Sequence, residues 1–221
     1  MDQKLLFLIN REWTGPALDK LMALASSAAF WAVPLGLVAL WLAWRGGFRG
    51  RAFVVVAVVA FGIADGVVGR WLKYTVARPR PYQSELGVRQ LDLRAPAWKG
   101  VSLPVKEKIS LGTESIKPGE GRSFPSNHSA NTAAVALVAA LLFRRGWVVF
   151  LPAILVSYSR IYTGAHWPSD VFAGICIGVG VALMAFAFSE WAWRRFGERI
   201  APGAFARHPS LLSAQMNTTA T

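Results

Sequence analysis

The chain has 221 residues, of which 54% are hydrophobic and only 16% charged, and it carries a formal net charge of +12. That apolar content excludes an ordinary soluble domain, and the length suits a single domain. The basic excess could serve nucleic acid, but no zinc-finger, basic-zipper or RNA-binding signature is present and the charges are scattered between apolar runs, so anionic lipid headgroups are the expected partners.

A helix that crosses a bilayer needs about 20 mainly apolar residues. The N-terminal stretch from Asp2 to Lys20 mixes Leu5, Leu6, Phe7 and Trp13 with charges and reads as a helix lying in the membrane interface. Its apolar run is too short for a signal peptide and no small-residue cleavage site follows. Spanning runs then occur at about Leu21–Trp44, Ala52–Leu72 (interrupted by Asp65 and Arg70), Ser126–Phe143, Trp147–Tyr162 and Ser169–Trp193. The expected fold class is all-α: an integral membrane bundle of about five transmembrane helices plus the interfacial helix, forming one domain over residues 1–200. Residues 82–122 are polar and interrupted by Pro96, Pro104 and Pro118, and so belong outside the hydrocarbon. Residues 201–221 read as a disordered tail. Cys176, the single cysteine, lies in an apolar run and can form no intramolecular disulfide.

Arginines mark the cytoplasmic ends of spans. Arg45, Arg49 and Arg51, then Arg144 and Arg145, then Arg194, Arg195 and Arg199 fall on one side of a five-span bundle. The cytoplasmic side therefore receives the C-terminus, and residues 73–125 face outward.

Polar stretches at the outward span ends attract attention. Lys73-Tyr-Thr-Val-Ala-Arg-Pro-Arg80-Pro81 would serve as a basic headgroup anchor if it stood alone. Pro125-Ser126-Asn127-His128 opens the third span with a helix-start signal, where free backbone N–H groups favour an anion; a histidine there could equally be an interfacial residue. Ser159-Arg160 precedes His166-Trp-Pro168-Ser-Asp170. Pro168 suits the first position of a helix, which places Asp170 in the first turn, within reach of His166. A carboxylate on one imidazole nitrogen leaves the other a stronger base or nucleophile, although a capping aspartate beside a surface histidine would look the same. Topology brings all these stretches to one membrane face, where cations with two histidines suggest phosphoryl transfer.

These residues resemble the type 2 phosphatidic acid phosphatase (PAP2) superfamily, whose signature is Lys-x6-Arg-Pro, Pro-Ser-Gly-His and Ser-Arg-x5-His-x3-Asp. The resemblance covers about Asp65 to Gly174 and implies a metal-independent membrane lipid phosphatase with no cofactor. It implies that His166 attacks phosphorus, Asp170 holds its ring, and His128 protonates the leaving oxygen and then helps to activate water. Lys73, Arg80 and Arg160 would surround the phosphoryl oxygens, with Ser126 and the backbone at Asn127 donating hydrogen bonds. Asn127 replaces the family's glycine, a position suited to positive φ that asparagine tolerates. Asp65 is expected to be a structural partner for a bundle cation.

The substrate expected from the resemblance is undecaprenyl diphosphate, turned over on the outer side of a bacterial inner membrane. Phosphatidylglycerophosphate, phosphatidic acid and a lipid A phosphate are alternatives, and a transporter or lipid-binding relative without catalysis is the remote one. Residues 82–122 would form either a lid or substrate-selecting loop or a solvated insertion with no role.

Overall fold

The computed structural model describes residues 1–95, 97–112 and 122–212. Helix α1 (Asp2–Phe7) continues through a π-helical turn, Leu8–Glu12, before the chain turns into α2 (Pro16–Ser26). Helix α3 (Ala28–Arg45) starts after Ser27, whose hydroxyl accepts a hydrogen bond from Phe30 N at 3.3 Å. Helix α4 (Gly47–Phe61) passes through a π-helical segment, Gly62–Gly69, into α5 (Arg70–Val76), which ends at Ala77 with φ 46°. A short α6 (Pro81–Ser84) leads into an antiparallel hairpin of β1 (Leu86–Leu93) and β2 (Val105–Leu111). Helix α7 (Asn127–Leu142), a 3-10 turn at Gly146–Val149, α8 (Phe150–Tyr162), α9 (Pro168–Ile200) and α10 (Pro202–Arg207) complete the chain.

The expected membrane bundle is present. Among the described residues, Ala28–Arg45, Gly47–Ser84 and Pro168–Ile200 are long and apolar enough to cross a membrane. The expected third and fourth spans are helices too, but shorter: α7 has 16 residues and α8 has 13. Helix α3 buries none of its residues and exposes Leu35, Leu37, Leu40 and Trp41, the apolar surface a spanning helix offers to lipid.

Several expected boundaries move. The first span begins at Ala28 rather than Leu21, because Ser27 caps a new helix and residues 21–26 end α2. The N-terminal interfacial helix is two helices, with Leu6, Ile9 and Met22 buried against Val88, Leu91, Tyr162 and Trp167. Residues 201–212 are not a loose tail: Trp193 Nε1 donates to His208 O at 2.7 Å, and Leu211 is buried in the main core. The remainder of that expected tail, residues 213–221, lies outside the described residues. The hairpin within residues 82–122 has no counterpart in an all-α reading. A register shift between the pairs Leu86↔Leu111 and Arg89↔Ile109 breaks the period-two alternation that would have announced a strand.

The main core joins Val56, Ala60 and Ala64 of the second span to Ala130, Ala134 and Val138 of α7 and Val181, Ala182 and Ala185 of α9. Small residues let α7 and α9 approach closely, as membrane helices do when packing rather than hydrophobicity joins them. A Cβ on Gly178 would lie 2.1 Å from Ala130 O, and one on Gly174 2.5 Å from Ser126 O. Gly178→Leu is therefore expected to destabilise the bundle by about 3 kcal/mol, the upper end of overpacking costs. Thermal unfolding in detergent reads this, and an unchanged midpoint would rule out so close a crossing.

The basic loops share one end of the bundle. Phe48, between Arg45 and Arg49, stacks on His208 with centroids 4.6 Å apart and packs on Trp193 at 5.0 Å, while Phe53 meets Phe143 at 5.6 Å. The opposite end gathers the C-terminus of α8 and the N-termini of α7 and α9.

Candidate active site

Each motif residue sits at a helix end. Lys73 lies in the last turn of α5, and Arg80 precedes α6. Ser126 is the N-cap of α7, followed by Asn127 and His128 in its first turn. Arg160 occupies the last turn of α8, and His166 lies in the connection to α9, with Asp170 as the third residue of that helix. Pro168 opens α9 at its first position, as the sequence indicates.

The charges converge. His128 feels Arg160, His166, Lys73 and Arg80, whereas His166 feels Asp170, Arg160 and Arg80. His166 is 1% exposed. Burial pushes its pKa down to about 3, with Arg160 and Arg80 adding to the effect and Asp170 opposing it. The imidazole is therefore neutral at physiological pH, as a nitrogen nucleophile must be. Its Nδ1 lies 3.7 Å from Asp170 Oδ2, beyond hydrogen-bond length, and has no hydrogen-bond partner among the described residues.

Asp170 is fully buried and well supplied with donors. Trp167 N donates to Oδ2 at 3.0 Å, Ser123 Oγ donates to the same oxygen, and Arg78 Nη1 donates to Oδ1 at 2.7 Å. The Asp170 carbonyl accepts from Ser126 N at 3.0 Å, which locks the start of α7 to the start of α9. Arg78 and Ser123 were missed by the motif reading. Arg78 stands in the same Arg-Pro-Arg-Pro run as Arg80, and that repeated dipeptide was the available signal.

The phosphate-binding candidates are engaged unequally. Arg80 Nη1 donates to Ala165 O at 3.3 Å, beside His166. Arg160 is buried; its Nη1 donates to Ser26 O at 3.1 Å and to Ser26 Oγ, and its Nε has no partner among the described residues. It borders a cavity of about 480 Å³ lined also by Ser26, Ser27, Leu91, Asp92 and Arg94. The Ser126 hydroxyl, expected to face phosphate, is buried and accepts from Ser129 N at 3.4 Å and Ser129 Oγ at 3.0 Å.

Asn127 departs from expectation. It is the first residue of α7, and Ala77 is the one non-glycine residue with positive φ among those described, so Asn127 does not use the glycine conformation. Instead its Nδ2 donates to Asp65 Oδ1, to which Asn131 Nδ2 also donates at 3.4 Å. Asp65 thus takes two asparagine amides rather than a cation as hydrogen-bond partners, because a carboxylate inside a span needs donors. Lys73 lies within its electrostatic reach.

Comparison with known proteins identifies the family. Residues 51–194 match the family model of the PAP2 superfamily. The chain is similar to undecaprenyl-diphosphatase BcrC of Bacillus subtilis, 28% identical over 78% of this chain and 76% of that protein. It is also similar to a lipid A 4'-phosphatase of Bacteroides thetaiotaomicron, 30% identical over 57% of this chain and 49% of that protein, about half the relative's length. Among solved structures, Aquifex aeolicus LpxE superposes with a TM-score of 0.58 at 23% identity, covering 84% of this chain and 94% of its own. Because the family match spans well over half of the residues and contains every motif from Lys73 to Asp170, the chain belongs to the PAP2 superfamily.

Proposed function

We propose that this chain, a membrane-embedded lipid phosphatase, releases the terminal phosphate of undecaprenyl diphosphate through a phosphohistidine on His166. The observation that carries the reading is the buried His166, with its Nδ1 3.7 Å from Asp170 Oδ2 and within the electrostatic reach of Arg160 and Arg80. The Asp170 carboxylate accepts a hydrogen bond from Nδ1–H, which keeps the proton on Nδ1 and leaves the Nε2 lone pair to attack phosphorus. The phosphorus–oxygen bond to the lipid breaks as the phosphorus–nitrogen bond forms, and His128 gives its proton to the departing oxygen. His128 then takes a proton from the water that frees phosphate from His166. Lys73, Arg80 and Arg160 neutralise the charge on the phosphoryl oxygens, the main demand of phosphoryl transfer.

Similarity to the Bacillus diphosphatase over most of both chains supports the substrate. The arginine-rich loops, gathered at the end of the bundle away from His166, support a site on the outer side of a bacterial inner membrane with the C-terminus in the cytoplasm. A reporter fused after Ala220 tests this, and an extracytoplasmic signal overturns it.

A second reading is a glycosylated lipid phosphate such as a lipid A phosphate. The cavity beside Arg160 favours it, since about 480 Å³ exceeds what a phosphate needs and Asp92 and Arg94 can address sugar hydroxyls. The test is phosphate release by the purified protein from both lipid classes in the presence of EDTA. The first reading expects undecaprenyl diphosphate to rank highest and Arg94→Ala to change its kcat/KM by less than about threefold. A glycolipid ranking first, with a loss of about tenfold or more in Arg94→Ala, gives the site to the second. Activity that requires a metal overturns the mechanism in either case.

A further inference from the structure

The carboxylate that faces His166 depends on residues the reaction itself does not use. Arg78 supplies one donor to Asp170, through Nη1 at 2.7 Å, and its backbone oxygen accepts from Ser123 N at 3.0 Å, fixing the residue that supplies another. Its second amine, Nη2, donates to Asp2 Oδ2 at 2.7 Å, and the guanidinium lies 4.8 Å over the Trp167 ring. Asp2 also takes the backbone N–H of Ser169 at 2.9 Å and the Ser169 hydroxyl at 2.5 Å, so it caps the start of α9 from a distant part of the chain. Burial raises the Asp2 pKa, but the bonds from Ser169 and Arg78 outweigh it and hold the carboxyl below its usual range. Asp2 reaches this place because Leu6 and Ile9 of the same N-terminal segment are buried in a cluster with Val88, Leu91, Tyr162 and Trp167.

We propose that Arg78 and Asp2 are positioning residues: Asp2, brought by the docked N-terminal helix, holds Arg78, and Arg78 holds Asp170 in the orientation that faces His166. Turnover then depends on the N-terminal helix being seated on the site. Arg78 differs from Lys73, Arg80 and Arg160 in being paired with two carboxylates and the Ser169 hydroxyl, which commits its guanidinium to them. The proposal rests on His166 being the nucleophile.

The experiment is steady-state kinetics and thermal unfolding of the full-length protein carrying Arg78→Met, Arg78→Lys, Asp2→Asn, Asp2→Glu and the Arg78→Met/Asp2→Asn pair, with His166→Ala alongside. Arg78→Met is expected to lower kcat about 10- to 100-fold with KM within about twofold, the usual cost of losing an orienting partner. Arg78→Lys recovers part of the loss. Asp2→Asn lowers kcat about fivefold, Asp2→Glu restores it, and the pair is no slower than Arg78→Met alone, because both act through one link. Without Arg78 the Asp170 charge acts uncompensated on His166, against Arg160, Arg80 and His128, so the acid limb of kcat/KM moves to higher pH. A merely structural role would lower the unfolding midpoint without moving that limb, and this result overturns the proposal. A raised KM at constant kcat, or additive losses in the pair, overturns it as well. Substantial activity in His166→Ala would instead overturn the mechanism on which the proposal rests.

Discussion

His166→Ala is expected to lower kcat for every lipid phosphate by at least about 10⁴-fold, the scale of losing a nucleophile that works as a unit with its neighbours. KM should change far less, because Lys73, Arg80 and Arg160, the proposed phosphate ligands, remain in place. The size of the effect follows from burial: His166 is 1% exposed, so its loss leaves a void with no substitute nucleophile at hand. Brief exposure of the wild type to radiolabelled substrate should leave an acid-labile phosphoryl group on the protein, absent from His166→Ala. The pH dependence follows from the same burial. With its pKa pushed down to about 3, His166 is already neutral at pH 5, and its own titration leaves kcat/KM flat from about pH 5 to about pH 8. A protonation cost that burial imposes must also appear in stability. The unfolded chain binds a proton at this residue below about pH 6.5 that the native state refuses until about pH 3. Stability therefore falls as pH drops through that window, and His166→Ala should flatten this part of the unfolding profile. A mutant with substantial turnover, or a wild type that carries no phosphoryl label, would remove His166 from the nucleophile's role.

The candidate site is legible in the sequence where its proposed chemistry demands a residue type at a helix end. Lys73, His128, His166 and Asp170 are polar residues at the margins of apolar runs, and the order of the spans brings those margins together whatever the packing between them. Pro168 announced the start of α9 for a local steric reason. What stayed hidden depends on partners distant in sequence. Nothing near Asp2 signals that it will cap α9, and nothing near Asn127 signals the Asp65 carboxylate waiting in the second span. Reading Asn127 as a stand-in for glycine looked only at backbone freedom, whereas its side chain satisfies a charge inside the bundle. The hairpin was hidden because its bulge disrupts the alternation, and the break between α2 and α3 because Ser26 and Ser27 sit inside an otherwise apolar stretch. Leu211 belongs to a single Leu-Leu pair in a mostly polar stretch, with too little local context to show that it enters the main core.

His128→Gln should separate the two substrate readings through the leaving group. A lipid alcohol leaving from a monophosphate departs as an alkoxide and needs a proton, so loss of the general acid should cost about 10²- to 10⁴-fold. From undecaprenyl diphosphate the leaving oxygen belongs to a phosphate monoester, whose second pKa is about 6, and it can depart unprotonated. Removing His128 should then slow the first step by about tenfold or less, since the proton it donates is scarcely needed. The second step tells the other half. Freeing phosphate from His166 requires an activated water in both cases, and His128, in the first turn of α7 within the field of His166, Arg160, Lys73 and Arg80, is the group placed to activate it. In His128→Gln the diphosphate should therefore phosphorylate His166 readily and leave it phosphorylated, whereas a monophosphate should label it slowly. Quenched-flow labelling with each substrate measures both steps. Equal losses on the two substrates, with no accumulated phosphohistidine, would make His128 a phosphate-binding group and leave proton transfer to solvent.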